Sequence, residues 1–129
     1  GQYVNAHLLL PHAPESLTAR CGYAPLMTRT LVNLAEQTIC TVAKIGQMSD
    51  TLRELGRFQN AMIVIHSDHG TLRRARPLLL VKYPGAKFEP LQIADHEVRL
   101  VDIVPTILDT FEIGHAELDG VHLQDHKIR

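Results

Sequence analysis

The sequence predicts an α/β fold with a mainly parallel sheet and flanking helices. Two short apolar segments, residues 62–65 and 77–81, have the length and unbroken hydrophobicity of buried parallel strands. A third apolar segment, residues 2–10, precedes a long stretch with helical periodicity. A strand, a crossover helix and a second strand form a βαβ unit, in which the strands are parallel and the connection is right-handed.

Length and composition indicate one globular domain, residues 1–129, or part of one. The chain has 129 residues, of which 45% are hydrophobic and 21% are charged, which is ordinary for a folded domain. The formal net charge of -1 gives no reason to expect a nucleic-acid partner. No apolar run approaches the roughly 20 residues of a membrane span, and no signal peptide is recognisable. We therefore expect any anchor or export signal to lie outside these residues.

The first predicted strand, residues 2–10, is apolar and is stopped by Pro11. His12 follows between two prolines, in a rigid turn at the carboxyl end of this strand. From the residues alone, a solvated turn histidine explains His12 better than a ligand does.

Residues 28–55 are predicted to form one long crossover helix, because apolar side chains recur at every third or fourth position. Thr28 is a suitable cap for the start, and Gly56 stands where a helix exit favours positive φ. The charged face is expected to be solvated. The apolar face is made of Leu31, Leu34, Ala35, Ile39, Val42, Ile45, Met48, Leu52 and Leu55.

The strand at 62–65 ends in Ser67-Asp68-His69-Gly70, the most chemically informative stretch of the chain. Ligand sites in open α/β sheets gather beyond the carboxyl ends of strands. Asp68 and His69 could there supply an oxygen and a nitrogen to a divalent metal such as zinc. The alternative is a polar turn, in which Asp68 binds its own backbone and His69 is solvated. Spacing alone leaves both open.

The second half of the chain adds one strand-end cation and one helix start. Lys82 ends the strand at 77–81, where it could contact an anion or simply be solvated. Asp102 is predicted to be the N-cap of a helix that carries Pro105 in its first turn. Arg73, Arg74 and Arg76 form a basic cluster, which is more often a solvated turn but beside a metal could also attract an anionic ester. Spacing singles out none of the tail histidines, His115, His122 and His126, as a ligand.

Cys21 and Cys40 are the only cysteines, too few to define a disulfide framework. A disulfide between a loop and the middle of the long helix would be compatible with an extracytoplasmic chain. The sequence does not decide between that disulfide and two free thiols, and it leaves the localisation open.

Several segments resemble the alkaline phosphatase superfamily, in particular its sulfatase and phosphoethanolamine-transferase branches. Residues 64–70 resemble the strand and the metal-binding Ser-Asp-His-Gly signature of that family. The other matching segments, in the family's order, are residues 7–14 (strand, then Pro-His-x-Pro), 76–85 (Pro, apolar strand, Pro-Gly), 101–108 (Asp-x-x-Pro-Thr helix start) and 119–123 (Asp-Gly-x-x-Leu).

The resemblance implies a partial alkaline phosphatase-like (sulfatase) fold and a metal-dependent hydrolase of sulfate or phosphate esters. It makes Asp68 and His69 metal ligands, and His12, Lys82 and His7 contacts of the substrate or anion. A divalent metal is implied, with zinc favoured by the imidazole ligand and calcium or manganese as alternatives. The parent protein could be membrane-anchored or extracytoplasmic.

The family's nucleophile and first metal carboxylate lie in the N-terminal half of its catalytic domain, and no residue here has that context. We therefore expect this chain to be a C-terminal portion, inactive alone. Alternative functions are a phosphoethanolamine or phosphoglycerol transferase of the same superfamily, and a non-catalytic metal- or anion-binding module. The expected partners are a small-molecule, glycan-linked or lipid-linked ester. Self-association is also expected, because a partial α/β domain leaves a sheet edge and a helix face uncovered.

Overall fold

A computed structural model describes residues 1–25, 28, 30–70, 76–87 and 90–125 of the chain. These residues form two compact units, Gly1–Phe58 and Gln59–Arg129, and each unit is described by itself. Arg73, Arg74 and His126, which the sequence analysis names, lie outside the described residues.

The first unit is built on one long helix, α1 (Leu31–Glu54). The Thr30 hydroxyl accepts the backbone N–H of Asn33 at 3.1 Å, so that Thr30, and not Thr28, is the N-cap. Gly56 follows the helix with a φ of 65°, a conformation that glycine adopts without a Cβ penalty. The predicted helix and its glycine exit are confirmed, and the predicted position of the cap was wrong.

The buried face of α1 differs from the apolar face that periodicity predicted. The buried residues of this helix are Gln37, Cys40 and Thr41. Ile39 and Val42, by contrast, are 57% and 61% exposed. The helix therefore packs within its own unit through polar and cysteine side chains, and much of its apolar face remains in solvent.

Gln37 explains this inversion, because its fully buried amide binds the backbone of the preceding loop. Its Oε1 accepts the N–H groups of Ser16 and Leu17 at 2.9 and 3.3 Å, and its Nε2 donates to the carbonyl of His12 at 2.9 Å. A disulfide between Cys21 and Cys40 joins the same loop to the helix one turn further on. Residues 12–21 are therefore a fixed layer on α1, although their sequence has no regular period.

Residues 2–10, predicted to be the first strand, are not in a strand in the structure, and this prediction was wrong. Tyr3, Val4 and Leu9 are between 74% and 76% exposed. A strand needs a neighbour to satisfy its N–H and C=O groups. Within the described part of the first unit, residues 2–10 have no strand partner, so the predicted βαβ unit is not formed there.

The second unit contains a two-stranded sheet made of β1 (Ile63–His66) and β2 (Leu79–Lys82). The strands are antiparallel, and the register pairs Ile63 with Lys82 and His66 with Leu79. Both strands lie within one or two residues of the predicted segments. The predicted parallel arrangement is not formed among the described residues. The alkaline phosphatase-like sheet stays a prediction.

A short 3-10 helix (Leu100–Asp102) leads into α2 (Ile103–Thr110). Asp102 precedes α2 as predicted, but its side chain does not cap that helix. Its buried carboxylate accepts the N–H of Arg99 at 2.7 Å and the N–H of Val121 at 3.1 Å. Asp102 thus joins the helix start to the later Asp-Gly segment, and a second 3-10 helix (Leu123–Asp125) follows.

Of the helices in the described ranges, none combines the length and the apolar character that crossing a membrane requires.

Candidate metal centre

The candidate site is the four-residue turn that follows β1. The N–H of Ser67 donates to the carbonyl of Leu78 at 3.1 Å, and the N–H of Leu78 donates to Oγ of Ser67 at 2.8 Å. These two hydrogen bonds attach the start of the turn to the residue before β2. Asp68 and His69 come next, and their side chains are 86% and 72% exposed. The ligand atoms of this pair are therefore accessible from solvent.

Hydrogen bonds within the turn determine which nitrogen of His69 can bind a metal. Nδ1 of His69 lies 2.8 Å from the carbonyl oxygen of Gly70, which can only accept. Nδ1 therefore carries the proton, and in the neutral ring Nε2 keeps its lone pair. Nε2 lies 3.7 Å from Oδ2 of Asp68, while Oδ1 of Asp68 accepts the N–H of His69 at 3.0 Å.

This geometry fits two ligands of one metal ion. A nitrogen and an oxygen, each bound about 2.0–2.2 Å from a tetrahedral zinc, are roughly 3.4 Å apart, close to the separation of Nε2 and Oδ2. The backbone carbonyl on Nδ1 is the kind of second partner that orients a metal-binding histidine. Among the described residues, no group of three or more His, Cys, Asp or Glu side chains is placed so that it could hold a metal ion. To hold an ion, Asp68 and His69 would therefore need further ligands.

The polar-turn alternative is also visible in this turn, because Asp68 binds the next backbone N–H as such turns do. That hydrogen bond occupies Oδ1 and leaves Oδ2 facing Nε2 of His69. The turn and the ligand pair are therefore compatible in one conformation.

Lys82 has a different position and different partners from those expected of an anion contact. Its Nζ donates to the carbonyls of Gln59, Ala61 and Tyr83, each at 3.0 Å. Three N–H donors thus meet three acceptors, and burial lowers the pKa of the ammonium group. Because the strands are antiparallel, Lys82 pairs with the first residue of β1, at the opposite end of the sheet from Asp68. Its anion role stays a prediction that this geometry does not favour.

His7 and His12 belong to the first unit, and both are exposed. The ring of His12 approaches the carbonyl of Ala13 through Nδ1, and the backbone carbonyl of His12 accepts the amide of Gln37. The turn that carries His12 is therefore tied to α1. The substrate contacts assigned to both histidines stay predictions.

Two of the three tail histidines lie in the described residues, and neither offers a free nitrogen lone pair. Nδ1 of His122 accepts the N–H of Gln124 at 3.2 Å, so that Nε2 carries the proton in the neutral ring. His115 faces acceptors on both sides, the carbonyl of Ala116 at 2.7 Å and Oδ1 of Asp109 at 3.0 Å. The tail histidines are thus weaker metal candidates than His69.

We expect His115 to make the stability of the second unit dependent on pH. Hydrogen bonds to the Ala116 carbonyl and the Asp109 carboxylate raise the pKa of His115 above its ordinary value. A raised folded-state pKa stabilises the fold fully below about pH 6.5, and this contribution is lost as pH rises through the folded pKa. Thermal unfolding across this range should show the loss, and NMR titration of the imidazole should give a pKa above that of a free histidine.

The control for His115 is the His115→Gln variant, which cannot ionise and should lose this part of the pH dependence. Asp109→Asn should lower the pKa of His115 without removing the imidazole. A His115 pKa that is unchanged in Asp109→Asn would contradict the role of the carboxylate.

The second unit also has an open depression of about 350 Å³, lined by Tyr83, Pro84, Thr110, His122 and Gln124. The rings of Tyr83 and His122 stack within it, with centroids 6.1 Å apart. None of the residues predicted to bind metal or substrate lines this depression. It is therefore distinct from the turn that carries Asp68 and His69.

The structure is a small mixed chain of helices and a two-stranded sheet, with an exposed Asp–His pair at the end of a strand. Comparison of the chain with models of known protein families, with curated proteins and with solved structures finds no match.

Sequence reasoning missed the backbone partners that hold the pair, in particular the bonds of Ser67 and the carbonyl of Gly70. The signal for Ser67 was present, since a serine at a strand end can replace a backbone acceptor. The partner carbonyl of His69 follows only from the path of the turn.

Proposed function

We propose that this chain supplies the Asp68–His69 ligand pair of a metal-dependent hydrolase that acts on sulfate or phosphate esters. The observation that carries the proposal is the 3.7 Å separation of Nε2 and Oδ2, with Nδ1 held by the Gly70 carbonyl. The resemblance of five ordered segments to sulfatase-like proteins adds the class of ester. The other ligands and the nucleophile are assigned to groups beyond the described residues.

The roles of the residues follow from their atoms. His69 would bind through Nε2, with the Gly70 carbonyl fixing the ring, and Asp68 would bind through Oδ2. A bound metal would act as a Lewis acid for the negative charge that develops on the ester oxygens. Zinc is favoured by the nitrogen ligand, manganese is compatible with the pair, and calcium would require more oxygen ligands.

Metal binding tests the proposal directly. We expect zinc to bind the wild-type chain in calorimetry and the Asp68→Ala, His69→Ala double variant to bind it more than about tenfold more weakly. The loss should be at least this large because even a second-shell partner of a metal contributes 10- to 100-fold. Calcium and manganese titrations rank the alternative metals.

The chain contains a matched control, since Asp95 and His96 form another adjacent Asp–His pair. Nε2 of His96 lies 3.3 Å from the carbonyl oxygen of Leu123 and is occupied by it. In His69 the same nitrogen faces the carboxylate of Asp68. The Asp95→Ala, His96→Ala variant, with its fold checked by circular dichroism, should retain zinc binding. Zinc affinity that survives in the Asp68, His69 variant would reject the proposed site.

A non-catalytic metal-binding module is the second candidate, and the backbone contacts of Lys82 favour it. An ammonium group that already binds three carbonyls is not positioned as a substrate contact. Assays with sulfate and phosphate esters on a polypeptide that includes the nucleophile separate the candidates. Hydrolysis of a sulfate ester supports the sulfatase assignment, and transfer of a phosphate ester supports the phosphoethanolamine or phosphoglycerol transferase. Zinc binding without either reaction supports the non-catalytic module.

We also propose that the substrate is a small-molecule, glycan-linked or lipid-linked ester, and that the chain associates with itself. The support for association is the exposed apolar face of α1, which includes Leu31, Ile39 and Val42. Light scattering on the calorimetry samples gives the oligomeric state.

A further inference from the structure

The hydrogen-bond pattern between β1 and β2 becomes irregular at Ser67, the residue before the proposed ligands. The regular register ends with His66 opposite Leu79. At the next pair, the N–H of Ser67 donates to the carbonyl of Leu78, as in a continuing antiparallel ladder. The return bond would normally join the N–H of Leu78 to the carbonyl of Ser67. Instead, that N–H donates to Oγ of Ser67 at 2.8 Å.

The serine side chain thus takes the place of its own carbonyl in the ladder. The strand ends here, and the peptide between Ser67 and Asp68 can take the orientation that the turn requires. Two further bonds follow directly, from the N–H of His69 to Oδ1 of Asp68 and from Nδ1 of His69 to the carbonyl of Gly70. Each of the residues from Ser67 to His69 therefore uses its side chain to fix the backbone.

We propose that Ser67 is the positioning residue of the Asp68–His69 pair, with its hydroxyl holding the turn in the conformation that directs Nε2 and Oδ2 toward one ion. This inference rests on the proposed function for the identity of the ligand. The geometric part, that Ser67 sets the orientation of His69, stands on the hydrogen bonds alone.

Removal of the hydroxyl has a specific structural consequence. In Ser67→Ala the N–H of Leu78 loses its acceptor, and an unpaired backbone donor is costly. The nearest replacement is the backbone carbonyl of residue 67, as in a regular ladder. Reaching it requires rotation of the 67–68 peptide, which would displace Asp68 and His69. We expect zinc affinity to fall about 10- to 100-fold, the usual effect of losing an outer-shell partner, although both ligands remain.

The experiment uses two readouts on three variants, Ser67→Ala, Ser67→Thr and Ser49→Ala. Long-range 1H–15N NMR of the zinc-free chain reports which nitrogen of His69 carries the proton, and calorimetry reports zinc affinity. Wild type should carry the proton on Nδ1, and Ser67→Ala should show a mixture with weaker zinc binding. Ser67→Thr keeps the hydroxyl and should restore both properties.

Ser49→Ala is the matched control, because it also removes a hydroxyl bonded to the backbone, there the carbonyl of Ile45. It should leave the His69 tautomer and zinc affinity unchanged. A His69 tautomer that is the same in Ser67→Ala as in wild type would overturn the positioning role. Zinc binding that ignores both Asp68 and His69 would reject the proposed function, and the tautomer readout would still decide the role of Ser67.

Discussion

Gly120→Ala should break the contact between the start of α2 and the later Asp-Gly segment, residues 119–123. A Cβ at residue 120 would lie 2.2 Å from the carbonyl oxygen of Val101 and 3.0 Å from Cα of Asp102. Both are backbone atoms at the entrance to a helix, so neither can move aside by changing a rotamer. Separating the segments would break the hydrogen bonds from the N–H of Val121 to Asp102 and from the N–H of Leu123 to Thr106. We expect a loss of about 3 kcal/mol or more in the free energy of unfolding of the second unit.

Hydrogen exchange measures this effect locally. The amides of Val121 and Leu123 should lose protection in Gly120→Ala, and urea unfolding should shift to lower concentration. Gly114→Ala is the matched control, because a Cβ at Gly114 meets nothing within 4 Å. Equal stability of the two variants would show that residues 119–123 do not pack against Val101 as described.

Asp102→Ala is expected to destabilise the same unit by about 2–6 kcal/mol, the combined cost of two backbone donors that lose their acceptor. The carboxylate is fully buried, and it accepts the N–H groups of Arg99 and Val121 while the Arg99 guanidinium lies 3.4 Å from Oδ1. Alanine would leave two backbone donors without this acceptor. Chemical unfolding followed by circular dichroism would measure the loss.

Asp102→Asn is the intermediate variant for this prediction, because it removes the charge and only one of the two acceptors. The amide keeps one acceptor oxygen and replaces the other by a donor, which cannot accept an N–H. It should therefore lie between wild type and alanine in stability. Asp119→Ala removes an exposed carboxylate from the same region and should change the stability little. An Asp102→Ala variant as stable as Asp119→Ala would mean that the buried carboxylate is not the link between the two segments.

Local patterns in the sequence were sufficient to predict several elements. The 3.6-residue period predicted α1, the short apolar segments predicted β1 and β2, and the position of Gly56 predicted the helix exit. These features depend on neighbouring residues along the chain, so the local sequence contains the information. The Asp68–His69 pair was also proposed from local sequence, because adjacency places an oxygen and a nitrogen donor together, and its metal role stays a prediction.

The local sequence does not predict which residues far apart in the chain contact one another. Gln37 is an ordinary polar residue in the helix pattern, and only the path of residues 12–17 makes it the buried centre of the first unit. The disulfide, left open by the sequence, likewise depends on where Cys21 meets α1.

The sequence by itself determined where α1, β1, β2 and α2 form and that a carboxylate and an imidazole follow a strand. Only the tertiary structure decided that the strands are antiparallel, which places Lys82 at the end of the sheet away from Asp68. It also decided that the carbonyl of Gly70 lies against Nδ1 of His69, which leaves the lone pair of the neutral ring on Nε2. The physical reason is that strand direction and histidine tautomer are set by hydrogen-bond partners, which the backbone brings together only when the chain is folded.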